Sequence, residues 1–180
     1  MGDRLPPGFV LREAEDADGA AVRALVFGIL AEYGLRPEPD GIDRDLSAPR
    51  TSYVGSGGWF AVLTVRESRS ADRIVGSVGL LPEEDGVVEL RKMYLASECR
   101  GRGLGSSLLA RAMEEARRRG FRRIRLSTAR VLREAVALYE RRGFRPVDKT
   151  SPACRCDLVM ELTLEPGSGS DSGSGSEVRA

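Results

Sequence analysis

A run of glycines and arginines, RGRGLG at residues 100–105, lies between two segments of different periodicity. Residues 87–95 are rich in apolar side chains, which indicates a strand leading into the run. After the run, apolar side chains recur at helical spacing, and the helix that they predict ends near Gly120. These side chains are Leu104, Leu108, Leu109, Ala112, Met113 and Ala116. The pattern predicts a strand, a glycine-rich turn and an amphipathic helix in direct succession.

This junction is suited to an anion. Gly101, Gly103 and Gly105 lack a Cβ atom, so the turn can adopt positive φ angles and a ligand can approach the backbone closely. The first amides of a helix have no partner within the helix and lie at the positive end of its dipole. Arg100 and Arg102 add charge that can reach phosphate oxygens. We therefore expect a phosphate or pyrophosphate to bind here.

Two common phosphate-binding motifs fit the glycine-rich turn less well. A P-loop requires the string GxxxxGK[ST], which the chain lacks. The dinucleotide fingerprint GxGxxG, started at Gly101, needs a glycine where the chain has Ser106, and it expects an acidic residue where the chain has Ser127 and Thr128. A turn that only tightens the junction between the strand and the helix remains an alternative. Three glycines alternating with two arginines are costly in conformational entropy for that purpose.

The remaining periodicities predict an α+β domain. Strands are expected at 9–12, 59–65, 74–81, 87–95, 124–128, 144–147 and 157–164. Helices are expected over 14–34, 104–120 and 132–143, with one helical turn at 43–46 in a loop-rich stretch. This order predicts a mixed sheet with helices packed on it. We expect one domain at 9–165, between a loose segment at 1–8 and a flexible Gly/Ser-rich tail at 166–180.

The chain contains no histidine among its 180 residues. This excludes Ser-His-Asp and Cys-His catalysis and HExxH zinc sites, so any acid–base chemistry falls to Glu, Asp, Tyr, Cys or Lys. Cys99, Cys154 and Cys156 are too few for a disulfide framework or for a four-ligand Cys/His zinc site. We therefore expect reduced thiols, a cytoplasmic protein and no metal.

The charge balance argues against nucleic acid as a partner. Lys and Arg number 28 against 27 Asp and Glu, which gives a net charge of +1. The most basic run, residues 117–125, is expected to be a solvated helix end, because aromatic residues do not interleave with it. The longest apolar stretch, 59–65, is too short to span a bilayer, and the N-terminus has no apolar signal segment. We expect neither a nucleic-acid nor a membrane partner. For the oligomeric state we expect a monomer or a homodimer.

Two blocks of the sequence resemble a known family. Residues 100–105 match the motif [RQ]xxGx[GA], and AVALYERRGF at 135–144 is similar to an AxxLYxxxGF signature. Both blocks resemble motifs of the GCN5-related N-acetyltransferase (GNAT) superfamily, and the resemblance covers about residues 9–164. It implies a mostly antiparallel central sheet with a cofactor gap between the fourth and fifth strands. It also implies transfer of an acetyl group from acetyl-CoA to a primary amine.

The resemblance assigns residues to the cofactor. The turn would bind the pyrophosphate of acetyl-CoA through its amides, and the end of the preceding strand would pair with the pantetheine arm through main-chain groups, like an added strand. A backbone amide on that strand would polarise the thioester carbonyl. The cofactor-binding residues implied are Met93, Tyr94, Leu95, Arg100, Gly101, Arg102, Gly103, Leu104, Gly105 and Ser106. Many members place an asparagine where this chain has Leu132, so that contact is not expected here.

Attack by an amine requires a base that removes its proton and an acid that protonates the departing thiolate. Glu89 is the candidate base, since some family members have a base glutamate there, whereas many others use a base elsewhere or a chain of water molecules. Alternation along a regular strand would place it on the same face as Val87 and Met93, half-buried and with a raised pKa; a solvent-facing or salt-bridged glutamate is the alternative. Tyr139, the tyrosine of the second block, is the candidate acid; a core aromatic is the alternative.

The amine acceptor is left open by the sequence. The acidic side chains Glu32, Asp40, Asp43 and Asp45 lie in the region that normally sets the acceptor. They could attract a cationic amine; a solvated acidic loop is the alternative. A small amine is favoured over a peptide N-terminus or a protein lysine, because no extended peptide groove is indicated. A module that binds acyl-CoA without turnover, for regulation or interaction, is the alternative function.

Overall fold

The structure is a computed structural model that describes residues 5–66, 72–149 and 155–165. Within these residues a single sheet has the strand order β1-β2-β3-β4-β5-β7-β6. The strands are β1 (Phe9–Glu13), β2 (Trp59–Val65), β3 (Arg73–Pro82), β4 (Val87–Leu95), β5 (Arg123–Thr128), β6 (Arg145–Pro146) and β7 (Leu158–Thr163). All neighbours are antiparallel except the parallel pair β4–β5. The predicted α+β class with a mixed, mostly antiparallel sheet is confirmed.

Helices cover both faces of the sheet. They are α1 (Gly19–Glu32), α2 (Pro49–Val54), α3 (Leu104–Arg118) and α4 (Arg133–Arg141). Short 3-10 turns lie at Asp16–Asp18, Arg44–Ser47 and Ser97–Cys99. On one face α3 and α4 pack against apolar side chains of β3, β4 and β5, and on the other α1 and α2 pack against β2. Burial of these two apolar layers is the main stabilising contribution.

Helix α2 was not predicted, because the prolines and glycines between residues 36 and 50 indicate loops. Pro49 occupies the first turn of α2, where a proline is tolerated because its missing amide would have had no partner. Tyr53 is fully buried against Phe60, and its hydroxyl donates to Asp45 Oδ2 at 2.8 Å. Proline as a helix start was therefore a signal in the sequence.

The parallel pairing of β4 with β5 is short. It extends from Val87 opposite Arg123 to Leu90 opposite Leu126, whereas β4 continues to Leu95 against β3 alone. Beyond residue 90 the two strands separate. This leaves an opening between the fourth and fifth strands, at the place where the resemblance implies a gap.

A β-bulge interrupts β4 at the start of the opening. Ser77 lies opposite Tyr94 and Gly79 opposite Arg91, so Lys92 and Met93 together face one residue of β3. Lys92 has a φ of 52°, which is unusual for a residue with a side chain, and its carbonyl accepts a 2.7 Å hydrogen bond from the Ser77 hydroxyl. The expectation of regular alternation from Glu89 to Met93 is therefore wrong. Met93 packs with the α3 core on the other face of the sheet.

The basic run at the end of α3 is paired with carboxylates. Arg118 and Arg119 both bind Glu115, at 2.6 Å, and Arg125 lies between Glu161 and Glu83. These contacts partly neutralise Arg118, Arg119 and Arg125 of the run. In the described ranges, no helix combines the length and the apolar character needed to cross a membrane.

Several expectations concern residues outside the described ranges. These are the flexible tail at 166–180, residues 1–4 of the loose N-terminal segment, and Cys154. The rest of that N-terminal segment contacts the domain. Leu5 packs against the main core, and the Gly8 carbonyl accepts a 3.0 Å hydrogen bond from the amide of Arg66.

Candidate functional site

The opening between β4 and β5 is part of a cleft of about 1270 Å³. The glycine-rich turn and the first turn of α3 line one part of the cleft, and Glu89 and Arg91 of β4 line another. Helix α4, the end of α1 and the loop before α2 contribute the remaining walls. The cleft thus brings the two predicted regions, the anion-binding turn and the acid–base residues, into one continuous space.

The turn has the backbone conformation that its glycines predict. Gly101 and Gly103 have φ angles of 72° and 78°, and a Cβ atom on either would meet nothing within 4 Å. Glycine is therefore required for its backbone conformation here and not for lack of space. Helix α3 begins directly after Gly103, and no side chain caps its first turn. The first amides of α3 are consequently left for water or a ligand.

The side chain of Arg100 contacts helix α1. It donates to Glu32 Oε2 at 2.8 Å and to the Leu95 carbonyl at 3.1 Å, and it lies 5.6 Å from the centre of the Tyr33 ring. Arg100 therefore connects the end of α1 to the turn, and its predicted role in cofactor binding would require sharing the guanidinium with Glu32. Tyr33 in turn donates to Glu134 of α4 at 3.3 Å.

Most of the predicted cofactor-binding residues line the cleft; Arg102 and Leu104 do not. The guanidinium of Arg102 lies over the ring of Phe9, 5.0 Å from its centre. Leu104 is fully buried in the main core. For these two residues a contact with a ligand in the cleft would involve the backbone alone, which is the kind of contact that the resemblance implies.

Arg142 was not singled out in the sequence, although it lies in the AVALYERRGF block. It lines the cleft beside the first turn of α3, and its Nη2 donates to the hydroxyl of Ser106 at 2.5 Å. Arg142 thus places a guanidinium next to the predicted phosphate site. Its position three residues after Tyr139 in the block was the available signal.

Glu89 lies in the cleft and is mostly screened from solvent, with 20% of its side chain exposed. Burial raises the pKa of Glu89, while the nearby Arg91 guanidinium, 3.5 Å away, opposes the rise. A raised carboxyl pKa makes the carboxylate a stronger base near neutral pH. The structure therefore combines the two alternatives for this residue, because Glu89 is both half-buried and ion-paired.

Tyr139 projects from α4 into the buried wall of the cleft and is 5% exposed. Its ring packs 5.7 Å from that of Phe144. Burial raises the pKa of Tyr139, and the nearby Tyr94 raises it further; burial also raises the pKa of Tyr94 to about 12. Both phenols consequently remain protonated at neutral pH and can donate a proton.

A buried ion cluster supports the wall behind Glu89. Asp43 is fully buried; it accepts hydrogen bonds from Lys92 at 2.6 Å and from Arg155 at 2.7 and 2.8 Å. Despite burial, which acts in the opposite direction, the bonds from Arg155, Glu38 and Lys92 lower the pKa of Asp43 to about 2. The expectation that Asp43 attracts a cationic substrate does not hold, because its carboxylate is already saturated by these donors.

Comparison with known proteins agrees with this geometry. The family model for the acetyltransferase (GNAT) family matches residues 29–144, a range that includes Glu89, the glycine-rich turn and Tyr139. The chain belongs to the GNAT acetyltransferase family. It is 34% identical over 151 residues to the uncharacterised N-acetyltransferase YjgM of Escherichia coli, a match that covers 82% of this chain and 89% of that protein.

Solved GNAT structures share the fold. An acetyltransferase of the GNAT family from Staphylococcus aureus aligns with a TM-score of 0.79 at 20% identity, over 87% of this chain and 99% of that one. A GNAT superfamily phosphinothricin acetyltransferase from Sinorhizobium meliloti, solved in complex with AcCoA, aligns with a TM-score of 0.67 at 19% identity, over 89% and 91%. The predicted superfamily and enzyme class are confirmed: this GNAT chain is an acyl-CoA-dependent acetyltransferase.

Proposed function

We propose that this protein transfers the acetyl group of acetyl-CoA to a small primary amine, with Glu89 as the base and Tyr139 as the acid. The observation that most directly supports this is the single cleft that joins the glycine-rich turn to both side chains. The two groups have complementary properties. Burial raises the pKa of Glu89, which strengthens it as a base, while the phenol of Tyr139, whose pKa burial also raises, carries a proton at neutral pH.

In this proposal the turn and the opening hold the acyl donor. The amides of Gly103, Leu104 and Gly105 and the guanidinium of Arg142 bind the pyrophosphate at the start of α3. Main-chain groups of Met93, Tyr94 and Leu95 that face β5 are not paired with that strand, so they can pair with an extended ligand. An amide of the same strand segment would then donate to the thioester oxygen.

The proton balance of the reaction fits two groups. A primary ammonium loses one proton to Glu89, and the resulting amine forms a C–N bond to the acetyl carbon. As the C–S bond breaks, the sulfur takes a proton from Tyr139, and the nitrogen releases its second excess proton, which restores the phenol through water. One proton is released overall, and Glu89 returns it to solvent.

The proposal is tested by measuring thiol release from acetyl-CoA over a panel of primary amines. Turnover with at least one small amine, and formation of the corresponding acetamide by mass spectrometry, are expected. Uptake of CoA by calorimetry without turnover on any amine would instead indicate the non-catalytic alternative. Failure to bind CoA at all would contradict the assignment of the turn.

A reducing, cytoplasmic location is part of the same proposal, and Cys99 is a buried free thiol in agreement with it.

A further inference from the structure

Glu89 and Arg91 form a pair of opposite charges on the wall of the cleft. They lie two residues apart on β4, before the bulge, so their side chains share one face of the strand. Their exposed fractions are 20% and 23%, and Glu89 Oε2 lies 3.5 Å from Arg91 Nε. Both line the cleft, so a molecule bound beside the proposed base also contacts this guanidinium.

The guanidinium of Arg91 makes longer polar contacts than the side chains of its basic neighbours, Lys92 and Arg155. Lys92 and Arg155 have a shared carboxylate within 2.8 Å. Arg91 has Glu89 at 3.5 Å, a second carboxylate, Asp45, at 3.8 Å, and a carbonyl acceptor at 3.3 Å. Its donors are therefore less well satisfied than those of the other two cations, and Arg91 lines the cleft in which the acceptor is proposed to bind.

The identity of the acceptor changes the electrostatic balance of this pair. A simple alkylammonium that approaches Glu89 competes with Arg91 for the same carboxylate and leaves the guanidinium with Asp45, 3.8 Å away, as its remaining carboxylate partner among the described residues. An α-amino acid has an ammonium and a carboxylate attached to one carbon. It can place the ammonium against Glu89 and the carboxylate against Arg91, so that each charge on the protein acquires a partner and the net charge of the site is unchanged.

We infer, on the basis of the N-acetylation proposed above, that the acceptor is a free α-amino acid and that Arg91 determines this specificity by binding its carboxylate. Glu89 then removes the proton from the α-ammonium, as for any primary amine. A planar guanidinium can bind a carboxylate through two parallel hydrogen bonds, which orients the α-nitrogen as well as holding it. The charge of Arg91 is thus used for recognition, and that of Glu89 for proton transfer.

The test compares each free amino acid with its α-carboxamide, which keeps the side chain and the amine but removes the negative charge. In the wild type, kcat/KM for the best amino acid should exceed that for its carboxamide by about tenfold or more, as expected for a bidentate charged contact of about 1.4 kcal/mol. In Arg91→Met, kcat/KM for the free amino acid should fall by about 10- to 100-fold, mainly through KM, and the preference should disappear.

The quantity compared between variants is the ratio of kcat/KM for the amino acid to kcat/KM for its carboxamide. This comparison removes the effect of the different basicities of the two amines. Arg91→Lys keeps the positive charge but cannot form two parallel hydrogen bonds to a carboxylate. It should therefore retain part of the preference for the amino acid over its carboxamide. Arg111→Met is the matched control, because Arg111 is half-exposed on α3 and pairs with Glu114. It should leave the ratio unchanged. If Arg91→Met does not fold, as judged by circular dichroism, the wild-type ratio and Arg91→Lys still decide the question.

Two failures are distinguishable. Equal turnover of an amino acid and its carboxamide by the wild type, or an unchanged ratio in the Arg91 variants, would overturn the amino-acid assignment and leave N-acetylation intact. Efficient turnover of amines that lack a carboxylate, together with no turnover of α-amino acids, would also overturn the amino-acid assignment without contradicting N-acetylation. No turnover with any amine would contradict the proposed function itself.

Discussion

At the scale of single residues, the proposed mechanism gives the hydroxyl of Tyr139 the most sharply defined role. Its ring packs against Phe144 inside the wall of the cleft, so a phenylalanine can fill the same volume. Tyr139→Phe removes only the proton donor, and we expect kcat to fall by about 100-fold, the usual scale of general acid catalysis. KM for acetyl-CoA and the midpoint of thermal unfolding should change little. Steady-state kinetics with unaltered turnover would exclude Tyr139 as the acid.

In the proposed mechanism, Glu89 controls the pH dependence of the reaction. The unprotonated carboxylate is the active form, so kcat/KM should rise with pH through the pKa of Glu89, which burial places above the ordinary value of a glutamate. Glu89→Gln should lower activity and remove this rising limb, leaving the ionisation of the amine itself. Glu84→Gln, an exposed residue in the β3–β4 turn, is the control and should keep the wild-type profile. Identical profiles for all three proteins would assign the base elsewhere.

At the scale of elements, the turn before α3 is defined by backbone conformation. A Cβ on Gly103 has open space, so Gly103→Ala is strained only through its φ of 78°. The expected cost is about 1 kcal/mol in the free energy of unfolding. Because the first amides of α3 shift with the turn, KM for acetyl-CoA should rise several-fold.

Gly28→Ala provides the matched control for this change. Gly28 lies inside α1, and its added Cβ also meets nothing within 4 Å. Alanine there should be neutral or stabilise the helix by about 0.5 to 1 kcal/mol, with no effect on the cofactor. Denaturant unfolding and acetyl-CoA kinetics on both variants separate strain in the turn from a general effect of the substitution. A Gly103 variant that behaves like the Gly28 variant would contradict the assigned role of the turn.

The 3-10 turn before α2 is attached to β4 through Asp43. Asp43→Asn leaves Lys92 and Arg155 buried without their carboxylate, and we expect a loss of about 3 kcal/mol in the free energy of unfolding at pH 7. The folded pKa of Asp43, about 2, lies below its unfolded value, so its stabilisation is complete above pH 4 to 5. It is lost as the pH falls towards 2, and the difference between wild type and variant should shrink there.

Urea unfolding between pH 7 and pH 3 measures this difference. Asp40→Asn is the control, since Asp40 is an exposed residue of the same loop. It should unfold like the wild type at every pH. A gap between wild type and Asp43→Asn that stays constant down to pH 3 would show that the ionised carboxylate is not the stabilising group.

At the scale of the whole molecule, the order of the elements and the position of the turn were predictable because both depend on local chemistry. Apolar periodicity distinguishes strands from helices over a few residues, and glycines mark a backbone that other residues cannot adopt. Helix α2 was missed because its first residue, Pro49, also marks loops. Its stability comes from burying Tyr53, a contact with β2 that is not local.

The amino-acid sequence by itself determined the α+β class, the glycine-rich junction between β4 and α3 and the presence of a carboxylate and a phenol, because these follow from residue type and spacing. Only the tertiary structure decided which face each side chain of β4 occupies, because the bulge at Lys92 depends on pairing with β3. It also decided that the carboxylate of Asp43 is bound by Lys92 and Arg155. Arg91, by contrast, lies beside Glu89 and makes longer contacts with its partners. Charges far apart in the chain compensate one another only where folding brings them together and removes water from between them.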